Sequence, residues 1–186
     1  MIRLFIAVLV PENIRELITD LITELKSVRG LPPDIRFAPP ENWHFTLTFL
    51  GYQPESAVPL IKEVLFNFRV SQTLRFGRVV YGPPPKGPLR GGHKPRMIWL
   101  TTARETSEEL GKIKKELEDK LETKSVKWRR ELRPYQGHIT LARFPETPLK
   151  NLPPIEKEIN WRYEAREIHL MKSTLKRTGA EYEVLL

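Results

Sequence analysis

The chain has 186 residues, 40% of them hydrophobic and 29% charged, which suits a globular protein and excludes both a disordered chain and a bundle of membrane spans. It has no cysteine, so disulfides, thiolate metal sites and cysteine nucleophiles are ruled out, and a reducing cytoplasm suits it. Its net charge of +8 is concentrated in segments 84–96 and 124–133, each carrying +4. Such clusters read either as a surface for a polyanion, nucleic acid first, or as solvated basic loops.

The apolar run Leu4 to Val10 opens the chain and is stopped by Pro11. It is short for a signal peptide and no small-residue cleavage site follows, so a buried strand in a cytoplasmic protein is expected. No stretch reaches the ~18 apolar residues of a membrane span. Ile14, Leu17, Ile18, Leu21, Ile22, Leu25 and Val28 then recur at helical steps until Gly30. A weaker helix is expected over 55–69, and strands over 73–81 and 96–101 flank the basic loop 82–95. A third helix starts near Thr106, where Thr106 and Glu109 have capping-box spacing, with Leu110, Ile113, Leu117 and Leu121 as its apolar stripe. Strands follow over 136–143, 166–174 and 181–186, the last two joined by a turn at Thr178-Gly179. The order predicts an α+β fold with helices on one side of antiparallel sheets. No long linker divides the chain, so residues 1–186 are expected to form a single unit of two intimately joined lobes.

One short pattern occurs twice, His44-Phe45-Thr46-Leu47 and His138-Ile139-Thr140-Leu141, 94 residues apart, about half the chain. Each copy follows an amphipathic helix, which hints at an internal duplication. Strand side chains alternate between faces. Phe45, Leu47 and Phe49 are therefore expected to face the core, with His44, Thr46 and Thr48 on the other face. In the second copy Ile139 and Leu141 oppose His138, Thr140 and Ala142. If the two strands adjoin, two imidazoles and two hydroxyls converge. An imidazole titrates near pH ~6.5, so one can accept a proton while the other donates one. The hydroxyls can donate hydrogen bonds to phosphoryl oxygens. A lone His-x-Thr in a strand means little; two copies that use two of only four histidines mean more. No metal is expected, because threonine is a poor ligand and no third ligand stands at helical or loop spacing; His93 and His169 could in principle complete a site, but His93 falls in the Gly-Gly loop and His169 reads as an ordinary strand residue.

At these residues the sequence resembles the two-histidine phosphoesterase superfamily, in particular its RNA 2′,3′-cyclic phosphodiesterase branch, also called 2′-5′ RNA ligase. Supporting segments are Arg3-Leu4-Phe5-Ile6-Ala7, Pro40 to Gly51, Gly137 to Arg143, Ser173-Thr174-Leu175 and Gly179-Ala180-Glu181-Tyr182. One departure is Gly137, where many relatives carry proline. The resemblance implies a bilobal α+β fold: two antiparallel sheets related by a pseudo-twofold axis around a central cleft, with helices on the outer faces. It implies hydrolysis of RNA-type 2′,3′-cyclic phosphate ends, tRNA fragments among them, to 2′-phosphates, with no cofactor. By residue, it implies that His44 protonates the leaving 3′-oxygen and His138 activates water. Thr46 and Thr140 would then hold the non-bridging oxygens, with Arg143 and, more weakly, Arg133 as further phosphate contacts. Run backwards, the same site would join such an end to a 5′-hydroxyl without ATP. A monomer is expected. Two alternatives stand beside this reading: the same chemistry on a small cyclic nucleotide or 2′-5′ oligonucleotide, or a non-catalytic RNA-binding module using the basic segments and exposed Trp43, Trp128 and Tyr135.

Overall fold

The computed structural model describes residues 1–84, 94–131, 133–177 and 179–186. The basic loop with Lys86, Arg90 and His93, and Thr178 of the expected turn, lie outside the described residues. In chain order the elements are β1 (Ile2–Leu9), α1 (Glu12–Lys26), β2 (Arg36–Phe37), β3 (His44–Gln53), α2 (Ala57–Phe66), β4 (Gln72–Gly82), β5 (Met97–Thr102) and α3 (Arg104–Thr123). Then come β6 (His138–Arg143), β7 (Lys157–Glu158), β8 (Arg162–Ala165), β9 (His169–Lys176) and β10 (Gly179–Val184). The expected helices and long strands are all present. The short strands β2, β7 and β8 are additions, because two to four residues carry no detectable period.

The strands form two antiparallel sheets. The first has the order β10-β9-β1-β3, and the second β2-β6-β5-β4-β7, with β8 paired to β4. One continuous core joins them. It takes Leu4, Ile6, Val8, Phe45 and Leu47 from the first sheet, and Leu74, Val79, Ile98, Leu100, Ile139 and Leu141 from the second. The helices supply Ile14, Ile18 and Leu21, then Ile61, and Leu110, Leu117 and Leu121, on the helical spacing read from the sequence. The helices thus pack into this shared core, and each His-x-Thr copy sets its His and Thr side chains, both half-buried, on the other face of its sheet. Among the described residues no helix is long and apolar enough to cross a membrane.

The third helix does not use the expected capping box. It starts at Arg104 after Ala103, and Thr106 is buried two residues into it. The Thr106 hydroxyl instead accepts a hydrogen bond from the Arg75 backbone N–H of β4 at 3.2 Å. A capping side chain is free to serve its own helix only while no neighbouring strand needs it; here the unpaired strand donor takes it.

Strict alternation also fails in both motif strands, at the same place. In the β1–β3 ladder Ile6 pairs with Thr48 but Ala7 pairs with Thr46, so Leu47 is an extra residue. In the β5–β6 ladder Ile98 pairs with Ala142 but Trp99 pairs with Thr140, so Leu141 is extra. Each is a β-bulge at the leucine of His-x-Thr-Leu, and a bulge reverses which face the following residues occupy. Thr48 is therefore buried and donates to Glu118 Oε1 at 3.1 Å, while Phe49 is 59% exposed, the reverse of the expected facing. Ala142 likewise enters the core, and Arg143 turns out to the histidine face. Matching bulges in strands 94 residues apart are the structural trace of the repeat.

Candidate active site

Each histidine is the first residue of its strand, and each is held by an aromatic ring. The His44 ring lies 4.9 Å from Phe5 and 5.1 Å from Tyr182, the latter edge-on. Phe5, Ala7 and Met171, with Leu9 and Tyr182, form a small apolar layer on this face of the first sheet. The β9–β10 hairpin completes it: Asn42 Nδ2 donates to the Ala180 carbonyl at 3.1 Å, and Arg3 donates to Ser173 Oγ at 3.1 Å. The tail segments singled out from the sequence thus wall the His44 side. The His138 ring stacks on Trp99 at 3.8 Å, with 21° between planes. Trp99 lies flat because its neighbour is Gly82; a Cβ there would come within 2.4 Å of the indole.

The ring nitrogens differ in their partners. His138 Nδ1 lies 2.9 Å from the carbonyl of Gln136, two residues upstream. For His44 the Asn42 backbone favours a proton on the ring, but the buried Nδ1 has no hydrogen-bond partner. The Gln136 carbonyl, if it accepts from Nδ1–H, holds the proton of His138 on that nitrogen and leaves Nε2 free to exchange one. Burial lowers His44 from its ordinary 6.5 to about 4; the Asn42 carbonyl opposes this, and the charges of His138 and Arg143 add to it. Burial also lowers His138, with the Gln136 carbonyl and Glu131 opposing and Arg143 assisting. The charges of His138 and Arg143 thus both act on His44, and that of Arg143 acts on His138. Thr46 and Thr140 stand two residues on from each ring, ahead of the bulges and on the same face, both half-buried.

The two halves are tied across the site. The Tyr135 hydroxyl, just before β6, donates to the Thr46 carbonyl of β3 at 2.9 Å. Burial raises the Tyr135 phenol well above its ordinary range, which keeps it a donor. Tyr163 donates to the carbonyl of Leu9, the residue paired with His44, at 3.2 Å. Thr48, Glu118 and Lys114 make a third tie, between β3 and α3, with the Lys114–Glu118 ion pair almost wholly buried. The Gly137 departure has a local cause. Its N–H donates to Ser107 Oγ at 3.1 Å, which a proline could not do, and a Cβ would meet Thr102 Oγ1 at 2.5 Å.

The structure thus brings His44, Thr46, His138, Thr140 and Arg143 together. Arg133 differs: its guanidinium pairs with Glu131, and it is Glu131 whose charge reaches His138. The 124–133 segment is largely neutralised where it stands, with Lys124 on Glu63 and Arg130 on Asp119 and Glu122. The aromatics expected to be exposed are not. Trp43 is 1% exposed and donates to the Ala38 carbonyl, while Trp128 and Tyr135 pack against the core. His169 bonds the Leu186 carbonyl and lies near Glu167. No group of three or more His, Asp or Glu suited to a metal ion exists among the described residues. Phe5, Trp99 and Tyr182 were not singled out as site residues, and Tyr135 was expected only as an exposed aromatic for RNA. Aromatics in strands read as core, and only their pairing registers put them beside the histidines.

A family model described as LigT-like phosphoesterase matches residues 8–90 and 100–182, so each match contains one His-x-Thr copy. The chain is 33% identical over 189 residues to the RNA 2′,3′-cyclic phosphodiesterase of Methanocaldococcus jannaschii, covering 98% of both. It is 30% identical over 190 residues to the protein of the same name from Thermus thermophilus, covering 98% of this chain and 87% of that one. Among solved structures, a Thermus thermophilus protein superposes with a TM-score of 0.76 at 25% identity, over 99% of this chain and 95% of the other. E. coli LigT crystallised with 3′-AMP gives 0.74 at 24% identity, over 100% and 95%.

Proposed function

The chain belongs to the LigT-like phosphoesterase family and is an RNA 2′,3′-cyclic phosphodiesterase, and we propose that it opens the cyclic end to a 2′-phosphate by two-histidine acid–base chemistry without a metal. The observation that carries this reading is the matched pair of imidazoles. Each comes from one half of the chain, each opens its strand beside an aromatic ring, and each has a threonine two residues on.

In this mechanism the cyclic phosphate sits between the rings. His138 Nε2 takes a proton from water as the water oxygen bonds to phosphorus. The bond from phosphorus to the 3′-oxygen breaks, and His44 Nε2 gives that oxygen its proton. The products are a 2′-phosphate and a free 3′-hydroxyl. The Thr46 and Thr140 hydroxyls and the Arg143 guanidinium stabilise charge on the non-bridging oxygens as it grows. Both imidazoles are lowered in the free protein, so the phosphate's own negative charge is what stabilises a protonated ring in the complex. Reversal with a 5′-hydroxyl in place of water gives a 2′-5′ linkage without ATP.

The test is turnover of an oligonucleotide with a 2′,3′-cyclic end in EDTA, with the products resolved into 2′- and 3′-phosphates. His44→Ala and His138→Ala should each lower turnover by roughly 10²–10⁴-fold while melting near the wild-type temperature. A 3′-phosphate product, or full activity in both variants, refutes the mechanism.

A further inference from the structure

Beyond the cyclic phosphate itself, β2 sets a second cation beside Arg143. This strand has only two residues, yet it is tied at several points. Arg36 pairs with Arg143 and Phe37 with Ala142, and the Ala38 N–H donates to the Leu141 carbonyl at 2.8 Å. The Ala38 carbonyl accepts from Trp43 Nε1 at 3.0 Å. Phe37 packs against the core and its partner Ala142 is wholly buried, so Arg36 points away from the core, to the face that Arg143 occupies. Directly opposed residues of antiparallel strands stand about 5 Å apart, and like charges so placed repel.

No carboxylate among the described residues offsets that repulsion with an ion pair. Most of the other ion pairs match a cation to a carboxylate nearby, as Arg96 to Glu146 and Lys157 to Glu24. Among the described residues no such pair involves Arg36 or Arg143. The bond that Arg143 makes is to Met97 Sδ at 3.1 Å, a weak acceptor easily given up to a phosphate.

We propose that Arg36 binds the phosphodiester next to the cyclic end, on its 5′ side, so that the site favours the end of an RNA chain over a cyclic mononucleotide. The inference rests on the cyclic-phosphodiesterase reading. The charge of Arg143 reaches both histidines, and Arg36 stands one strand further out at the sheet edge. A chain whose terminal phosphate lies between the rings meets Arg36 with the next negative charge it carries. A mononucleotide has no such charge to offer.

The test compares three substrates: a 2′,3′-cyclic mononucleotide, a dinucleotide with the same cyclic end, and that dinucleotide with an uncharged methylphosphonate linkage. For the wild type the charged dinucleotide should have the highest kcat/KM. Arg36→Ala should lower its advantage over the mononucleotide by about tenfold, the loss expected for one charge-assisted hydrogen bond, and Arg36→Lys should restore part of it. The same substitution should leave little difference between charged and uncharged linkages. It should also reduce the slope of log KM against log salt for the charged dinucleotide by ~0.7. Lys112→Ala, which removes a charge from the exposed side of α3, should change none of these ratios. An Arg36→Ala effect of equal size on charged and uncharged linkages, or no effect on either, overturns the inference while leaving the hydrolytic reading intact. Failure of the wild type to hydrolyse all three substrates overturns both.

Discussion

Lowering the pH should destabilise this protein through His44 by an amount that follows from its burial. The imidazole has an ordinary value of 6.5 and is lowered to about 4 in the fold. The unfolded chain therefore binds the proton more readily, and stability rises with pH wherever the two forms differ in protonation. The contribution is fully present above pH 6.5, falls as pH drops toward about 4, and is gone below that. At about 1.4 kcal/mol per pH unit, the interval from 6.5 to about 4 amounts to about 3 kcal/mol. Urea unfolding from about pH 7.5 to about pH 4 should show the wild type losing that much more than His44→Gln, whose amide does not titrate. Saturating inorganic phosphate should shrink the difference, because an anion between the rings favours their protonation. Parallel stability curves for the two proteins, with or without phosphate, would refute both the burial argument and the anion's place in it.

Other substitutions probe the supports of the site. Gly82→Ala would drive a Cβ into the Trp99 indole and, through the stack, displace His138. It should cost about 1–3 kcal/mol in thermal or urea unfolding and lower kcat more than it raises KM. Tyr135→Phe removes the hydroxyl that ties Thr46 to the other half, so about 1–3 kcal/mol of stability should go, with kcat falling further. Glu118→Ala leaves Lys114 buried without its partner and should destabilise by about 3–5 kcal/mol in the same assay. Phe49 is exposed on the histidine face, 5.9 Å from Phe5, and offers a surface for a base. Phe49→Ala should leave the melting temperature unchanged and weaken binding of a base-bearing substrate by about 1–3 kcal/mol.

The chain itself determines a good deal here. Residue periods of two and 3.6 laid out the three helices and the long strands, because burying one face of an element imposes its period on the sequence. The repeated His-x-Thr-Leu named both imidazoles and both hydroxyls, since chemistry demands those residue types whatever surrounds them. What alternation could not foresee was the bulge at Leu47 and again at Leu141, a property of two strands in register rather than of one strand. Those bulges send Thr48 and Ala142 into the core and bring Phe49 and Arg143 to the site. Tertiary structure alone likewise decided that Trp99 would carry His138, that Tyr135 would join the halves, and that Arg36 would stand opposite Arg143. Each of these depends on strands or loops distant in the chain meeting at one register, and a local pattern carries no information about its future neighbour.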